Sequence, residues 1–342
     1  MKTPPAIALL AGGLLAVGTG VRGASDPGPE APPVDPAGGH QAHSSVDAHV
    51  AWDSAQIMED LFFLASDELE GRAMGSPGGA RARDRILEGF QAAGVGPPQG
   101  TDRVQRFEAR GRSRAGSADV AILEGANVLG WVPGTGPDGA LMVITAHYDH
   151  VGVRGGQVYN GADDNASGTA ALLSIARYLA GAPLRQDVLL VALDGEERGL
   201  LGAEALLSAD WLEVDRIGLN VNLDMVSRSD SVLFAAGAYH SPAIGPILED
   251  VARDSPVVLR LGHDAPGVPG VDDWTRQSDH GAFHTRGIPF VYFGVEDHPD
   301  YHRPSDDADR VDPGFYMNSI RTILRAVRAL DARAEEFGRK EQ

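Results

Sequence analysis

The sequence predicts an α/β protein, a three-layer α/β/α sandwich in which helices cover both faces of a mixed, mostly parallel sheet. From residue 140 onward, apolar runs of strand length alternate with runs of helical spacing, which is the pattern of β–α units. The run at 140–146 is apolar, as expected of a strand buried in a sheet with two covered faces. A chain of 342 residues that is 43% hydrophobic and 23% charged can bury the core of a single domain.

The amino-terminal residues predict an export signal and a linker. Lys2 precedes an apolar run at 6–17, which suits a signal-peptide core and is too short to span a bilayer. Residues 25–45 are rich in Pro, Gly, Ala and Asp without periodicity, as in flexible linkers. We therefore expect a signal peptide at 1–24, a linker at 25–45 and one folded domain at 46–338. The protein is expected in the periplasm or outside the cell, without a stable membrane anchor after signal cleavage.

The rest of the chain reads as a series of helices and strands. Apolar spacing, helix-entry residues and turn signals predict helices at 53–65, 80–93, 168–180, 199–208, 241–253, 278–286 and 314–335. Strands are predicted at 105–107, 118–123, 126–132, 140–146, 188–193, 217–223, 231–235 and 289–294. The Gly/Pro/Asp-rich stretch at 262–273 is too long for a simple connector, so we expect it to shape a site or to close over one.

Charge and cysteine content limit the partners and the chemistry. A formal charge of −19 argues against binding to nucleic acid or to an anionic membrane, because both need concentrated Lys and Arg. The chain has no cysteine, so it has no disulfide, and any transition-metal site must use His, Asp and Glu. No feature of the sequence indicates an oligomeric state.

Acidic residues and histidines follow four of the predicted strands. His147 and Asp149 follow the strand at 140–146, Asp224 follows 217–223, and residues 194–197 and 296–307 follow the other two. The carboxyl ends of parallel strands meet at one edge of a sheet, where unpaired carboxylates would repel one another. A divalent cation removes that repulsion, and two cations bridged by one carboxylate remove it better. The pattern predicts a carboxylate-and-imidazole metal site.

These residues resemble the co-catalytic di-zinc exopeptidases, a family that includes secreted aminopeptidases, glutamate carboxypeptidase, glutaminyl cyclases and the transferrin-receptor ectodomain. The resemblance covers about residues 61–307, rests on five separated motifs in the same order, and includes the segment Leu69-Glu70-Gly71-Arg72. It implies two Zn²⁺ per chain. The implied ligands are His147 and Asp224 for the first zinc, Asp164 bridging both, and Glu197 and His302 for the second.

The same resemblance implies three catalytic roles. Glu196 would be the general base, Asp149 the carboxylate that orients His147, and Tyr301 a hydrogen-bond donor to the oxyanion of the tetrahedral intermediate. Elementary chemistry agrees, since paired metals acidify water and polarise a carbonyl. A carboxylate beside a ligand carboxylate can then move the proton, and a ligating imidazole needs its other nitrogen held.

Some residues have a second interpretation. A helix cap alone would account for Asp163. The histidine of the second zinc is taken as His302 from its match to the family's Tyr-His-x-Pro-x-Asp ending, with His150, His298 and His280 as the competing candidates. Asp279 and Arg276 are substrate-binding candidates, Asp279 for the substrate amine.

The leading functional prediction is an exported zinc aminopeptidase that acts on peptides with a free amino terminus. A carboxypeptidase or dipeptidase would need a cationic group for the substrate carboxylate, for which Arg154 and Arg276 are candidates. A glutaminyl cyclase would use a single zinc. A non-catalytic binding module would be expected to have lost ligands, and none is missing here.

Overall fold

A computed structural model describes residues 53–112, 120–137, 140–229 and 231–337, which form one compact unit. The predicted signal at 1–24 and the linker at 25–45 lie outside these residues, as does the predicted domain start at 46. The domain boundaries therefore stay a prediction. Within the described ranges, no helix combines the length and apolarity that a membrane span requires.

Ten strands form one eight-stranded sheet and a separate two-stranded hairpin in the described chain. They are β1 (Val104–Arg112), β2 (Val120–Val132), β3 (Leu141–His147), β4 (Gly152–Arg154), β5 (Gln157–Tyr159), β6 (Asp187–Leu193), β7 (Ile217–Leu223), β8 (Val232–Ala236), β9 (Val258–Leu261) and β10 (Phe290–Gly294). The large sheet has the order β1-β2-β6-β3-β7-β10-β8-β9, and β4 pairs with β5 in the hairpin.

The centre of the large sheet is parallel. Strands β6, β3, β7 and β10 run in the same direction as neighbours, whereas β2 and β8 join this block in antiparallel orientation. The predicted mixed, mostly parallel sheet is therefore confirmed. The chain leaves β3 toward β6 on one side and leaves β7 toward β10 on the other. Open α/β sheets bind ligands where the strand order reverses in this way, here between the ends of β3 and β7.

Helices pack on both faces of the sheet. They are α1 (Ser54–Leu64), α2 (Pro77–Ala92), α3 (Gly168–Gly181), α4 (Leu201–Leu207), α5 (Ile244–Arg253), α6 (His280–Thr285) and α7 (Pro313–Ala332). Helix α3 crosses strands β2, β3, β6 and β7 and is itself covered by α1 and α2. Helices α4 and α6 contact each other and pack on the opposite face. The three-layer architecture is thus the predicted one.

Strand β3 illustrates how the sequence produces these layers. Leu141 and Val143 belong to the apolar cluster that contains residues of α4 and α6. Because side chains alternate along a strand, Met142 and Ile144 face the other way, toward α3. All seven residues of β3 are buried, and burial of each large apolar side chain contributes about 1.5–3 kcal/mol.

The strands differ from the prediction in several places, and β1 is longer than the predicted 105–107. The predicted strands at 118–123 and 126–132 are one strand, β2, because Gly125 continues the ladder opposite Phe107. A Cβ at Gly125 would lie 2.3 Å from the Phe107 ring, so this glycine makes room for an aromatic neighbour instead of ending the strand. The hairpin β4–β5 and the edge strand β9 were not predicted, since each is only 3–4 residues long. The stretch at 262–273 contains neither helix nor strand.

Candidate metal centre

The carboxyl ends of the central strands bring the five predicted ligands together. Their donor atoms form two groups, within each of which all atoms lie within 4.8 Å of one another, and both groups include Asp164. The first donor group is His147, Asp164 and Asp224, and the second donor group is His150, Asp164, Glu197 and His302. The roles of these residues as ligands stay a prediction.

The first donor group lies where the strand order reverses. His147 is the last residue of β3, and Asp224 directly follows β7. His147 Nε2 is 3.2 Å from Asp224 Oδ1 and 3.5 Å from Asp164 Oδ1. Burial opposes protonation of His147, but Asp224 and Glu196 outweigh it and raise its pKa well above the ordinary value. The surrounding carboxylates thus favour a positive charge at this position.

The second donor group surrounds the other oxygen of Asp164. His302 Nε2 is 3.0 Å from Asp164 Oδ2 and 3.2 Å from Glu197 Oε1. His150 Nδ1 is 2.8 Å from the same Glu197 oxygen and 3.6 Å from Asp164 Oδ2. Burial would raise the pKa of Glu197, but the His150 and His302 imidazoles lower it below its usual range. His302 and its competitor His150 therefore lie together in one group.

The remaining two candidate histidines lie outside both groups. His298 Nε2 is 3.2 Å from Asp163 Oδ2. His280 Nε2 lies 2.8 Å from the Trp274 carbonyl oxygen, and burial lowers the pKa of His280 to about 3. Asp163 is not a helix cap, because the N-cap positions nearby are Gly161 and Ser167. Its carboxylate instead accepts hydrogen bonds from the backbone and hydroxyl of Ser227 at 2.8 and 2.7 Å.

The donor atoms of the second group fit a cation better than they fit one another. Among the described residues, neither ring nitrogen of His150 nor Oε1 of Glu197 has a hydrogen-bond partner, although these atoms are buried. Unsatisfied buried polar atoms are costly and call for an explanation. Ligands about 2.0–2.1 Å from a tetrahedral zinc would stand about 3.3 Å apart, close to the 2.8–3.6 Å observed. Imidazole and carboxylate are ligands that zinc accepts.

Arg72 holds the backbone beneath the metal centre. Its side chain is fully buried, and its guanidinium donates to the carbonyl oxygens of Tyr148, Asn160 and Gly161 at 2.8, 2.6 and 3.0 Å, and to that of Leu64. Burial lowers the pKa of Arg72 to about 10, and the nearby carboxylates oppose that shift. The segment at 69–72 was noticed in the sequence for its resemblance alone, so this bracing role was missed.

Two further side chains fix Asp164. Asn165 donates to the Leu223 carbonyl at 2.9 Å and accepts from the backbone amides of Gly168 and Met225 at 2.9 and 3.2 Å. This ties the end of β7 to the start of α3. The buried Asp306 carboxylate accepts from the Asp164 backbone amide at 3.2 Å. These hydrogen bonds hold the backbone that carries the Asp164 carboxylate.

Asp149 lies close to the His147 ring. His147 Nδ1 is 3.1 Å from the backbone oxygen of Asp149 and 3.8 Å from its carboxylate. The carboxylate accepts a hydrogen bond from the Glu196 backbone amide at 3.0 Å. The peptide carbonyl is thus nearer to His147 Nδ1 than the carboxylate is, and the carboxylate also fixes the turn that carries Glu196. The orienting role of the Asp149 carboxylate stays a prediction.

A cleft opens over the first donor group. Six predicted residues line it, namely His147, Asp164, Glu196, Asp224, Tyr301 and His302. Six residues that sequence reasoning did not select also line it, namely Met225, Trp274, Gln277, Tyr292, Val295 and Asp297. Most of these come from loops, where no periodicity shows which side chains turn inward.

The predicted substrate contacts Asp279 and Arg276 are not among the residues that line this cleft. Asp279 is fully buried at the start of α6, and burial raises its pKa to about 7. Arg276 is exposed. The substrate-binding roles of Asp279 and Arg276 stay predictions.

Known proteins resemble this chain in sequence. Residues 127–327, more than half of the chain, match the family model of peptidase family M28. Aminopeptidase YwaD of Bacillus subtilis is 30% identical over 178 residues, which are 50% of this chain and 37% of that protein. The chain thus spans well under two thirds of the length of this relative.

Solved structures resemble it in fold. A zinc aminopeptidase from Bacillus subtilis, BSAP, has a TM-score of 0.65 at 17% identity, over 85% of this chain and 99% of that one. A glutaminyl cyclase from Porphyromonas gingivalis also has a TM-score of 0.65 at 17% identity, over 81% and 98%. Two different activities thus share this fold. The sequence match decides the family: the chain belongs to peptidase family M28, a family of zinc metallopeptidases, as the resemblance of its motifs predicted.

Proposed function

We propose that the protein is an exported aminopeptidase that uses two zinc ions per chain to hydrolyse the first peptide bond of peptides with a free amino terminus. His147 and Asp224 would hold the first zinc, Glu197 and His302 the second, and Asp164 both. The two donor groups that share Asp164 support this count. Bound zinc would polarise the scissile carbonyl and lower the pKa of water.

Glu196 is suited to carry the proton from water to the leaving amine. It lines the cleft beside the first donor group, and its turn is fixed through its backbone amide by Asp149. Burial, together with Asp279 and Asp224, raises the pKa of Glu196 well above its ordinary value. A carboxylate whose pKa moves toward neutrality is a better general base and, once protonated, a better acid.

Tyr301 is suited to donate a hydrogen bond to the oxyanion. Its ring stacks on the His302 ring with centroids 4.1 Å apart, which fixes the phenol at the cleft. Burial and the carboxylates Asp164 and Asp224 raise the pKa of Tyr301 above its usual range, so the hydroxyl keeps its proton. A fixed neutral donor at a water-poor site stabilises developing negative charge.

The charge of the cleft is the single observation that carries the aminopeptidase assignment. Among the described residues, those that line the cleft include the acidic Glu196 and Asp297 but no Lys or Arg. A carboxypeptidase or dipeptidase needs a cation for the substrate carboxylate, and neither candidate lies there. Arg276 is exposed, and the Arg154 guanidinium lies 5.8 Å over the Tyr159 ring. An acidic cleft favours a substrate ammonium instead.

A cyclase activity and a purely binding role have less support. A glutaminyl cyclase of this fold would use one zinc, whereas two complete donor groups meet at Asp164. A binding module that had lost its ligands would lack donors, but all five predicted ligands converge. Hydrolysis at two metals is the function that the geometry favours.

Substrates with a free or an acetylated amino terminus give the sharpest test of the direction of cleavage. We expect release of p-nitroaniline from unblocked amino-acid p-nitroanilides and none from their N-acetylated forms, because an acetyl group removes the ammonium. Zinc analysis of the same preparation should give about two ions per chain. Cleavage of N-acetylated peptides from the carboxyl end would overturn the aminopeptidase assignment.

Glu196→Gln tests the proton shuttle. The variant should keep its zinc content yet lose about 10²–10⁴-fold in kcat, because the amide cannot accept a proton. Glu213→Gln, in a surface turn away from the cleft, is the matched control. Full turnover in Glu196→Gln would contradict the assigned role.

Export is part of the same proposal. We expect the residues at 1–24 to be removed as a signal peptide, with the linker at 25–45 preceding a catalytic domain at 46–338. The intact mass of protein recovered from the periplasm or the medium checks this, since an unprocessed chain there would contradict it.

A further inference from the structure

We propose that the two metal positions are unequal, because His150 acts as a fourth ligand in the second donor group. This would make the second position closed and tightly binding, while the first stays open and exchanges its metal more readily. The inference rests on the proposed two-metal site and adds the order in which the positions fill and empty.

The placement of the His150 ring is the first observation. The side chain is 1% exposed, and within the described chain neither ring nitrogen has a hydrogen-bond partner. Nδ1 nevertheless lies 2.8 Å from Glu197 Oε1 and 3.6 Å from Asp164 Oδ2. A buried imidazole that is directed at two carboxylate oxygens without hydrogen-bond geometry is placed as a metal ligand is placed.

Local packing holds the ring in this position. Gly161 has a left-handed backbone conformation, and a Cβ there would lie 2.5 Å from ring atoms of His150. The Gly161 carbonyl is in turn held by Arg72 at 3.0 Å. The space for the imidazole is therefore built by the same segment that braces the site.

The number of donors distinguishes the two positions. The first donor group offers one imidazole and two carboxylates, whereas the second offers two imidazoles and two carboxylates. Four protein ligands complete a tetrahedral zinc, as in structural sites, and three leave a place for water or substrate, as in catalytic sites. The second position is thus saturated by protein, and the first is the one that can accept substrate.

The cleft gives an independent indication. Every member of the first donor group lines it, but in the second group His150 and Glu197 do not. The first position therefore faces the cleft with all of its ligands, whereas the second faces it only through Asp164 and His302.

A positioning role, in which His150 only donates a hydrogen bond to Glu197, is the competing explanation. Asn places an amide where the imidazole has Nδ1, so His150→Asn keeps a donor toward Glu197 but replaces a strong ligand by a weak one. The two roles thus predict different results for this variant.

The wild-type enzyme gives the first test. Loaded with two zinc ions and dialysed against increasing concentrations of a chelator, it should lose its metals in two separate steps with a one-zinc form between them. Zinc content by atomic emission is the readout. Loss of both ions in a single step would overturn the inequality.

His150→Asn gives the second test. The affinity of the tighter of its two zinc sites is measured by competition with a chromophoric chelator and should fall at least about tenfold relative to the wild type. The visible spectrum of the variant with one equivalent of Co²⁺ should also differ from that of the wild type. His284→Ala removes a histidine that belongs to neither donor group and should match the wild type in both measurements. An unchanged affinity and spectrum in His150→Asn would show a positioning role only and overturn the inference.

The failures can be told apart. A wild-type protein that binds no zinc refutes the proposed function itself. A protein that binds two zinc ions of equal affinity and still hydrolyses amino-acid anilides refutes only the role of His150. If His150→Asn does not fold, the stepwise release from the wild type still tests the inequality, because loss of both ions in one step would overturn it.

Discussion

The floor and the rim of the cleft are built differently. The floor consists of His147, Asp164, Glu196 and Asp224, which lie at strand ends or in turns. The His147 ring and the Asp224 amide hydrogen-bond to backbone oxygens, whereas the Asp164 and Glu196 amides donate to side-chain carboxylates. The rim includes Trp274, Gln277 and Asp297, which come from the segments that follow β9 and β10.

The rim is also less enclosed than the floor. Gln277 and Asp297 are exposed, although Trp274 is buried, whereas His147 and Asp164 are both buried. Rigid elements position chemistry precisely, while surface loops tolerate change. We infer that the floor determines the reaction and the rim determines which peptides are accepted.

The largest effect should come from Asp164→Asn in the floor. Because one carboxylate oxygen faces each donor group, its loss should weaken both metal positions. We expect less than one zinc per chain and a fall in kcat/KM of about 10³-fold or more, or roughly 4 kcal/mol. Asp309→Asn, at an exposed surface position, is the control. If Asp164→Asn retained two zinc ions, the claim that the floor residues determine metal binding and the reaction would be contradicted.

Arg72→Met tests the support under the floor. The variant leaves four backbone carbonyls without their donor and removes a buried cation near Asp164 and Asp149. The free energy of unfolding should fall by about 3–5 kcal/mol, measured by urea denaturation of the zinc-free protein. Arg310→Met, at an exposed position, should change it by no more than about 0.5 kcal/mol. Equal stability of the two variants would show that the hydrogen bonds of Arg72 to the four carbonyls do not stabilise the fold.

The smallest effect is expected from Asp297→Asn in the rim. An exposed contact between this carboxylate and a substrate ammonium is worth about 0.5–1 kcal/mol, so KM should rise about two- to fivefold with kcat little changed. Steady-state kinetics on an unblocked anilide checks this, with Glu296→Gln, the neighbour outside the cleft, as control. A loss of kcat comparable to that of Glu196→Gln would place Asp297 with the floor.

The same division explains what could be predicted from the sequence. The floor residues follow apolar runs directly, so strand periodicity and parallel topology together placed His147 and Asp224 at one edge. His302 was found only through its resemblance to a family motif, because the loop after β10 has no periodicity. Trp274 and Gln277 follow the irregular stretch at 262–273, and nothing in their local pattern indicates which way they face.

Two other features could not be predicted from the sequence, for physical reasons. Arg72 was noticed only as part of a segment that resembles the family, since a sequence does not reveal that a guanidinium is fully buried among distant carbonyl groups. His150 was weighed as a replacement for His302, whereas the fold brings both to the same carboxylates. Side-chain convergence of this kind depends on the tertiary structure, not on spacing.

The brace formed by Arg72 bears on how short a functional fragment can be. The family match begins at residue 127, so a protein trimmed to 127–327 would contain every proposed zinc ligand but neither Arg72 nor the helices α1 and α2 that cover α3. The outer side of α3 would then face solvent, and the loops carrying His150 and Asp164 would lose their anchor. Recombinant versions for metal titration should accordingly start before Ser54.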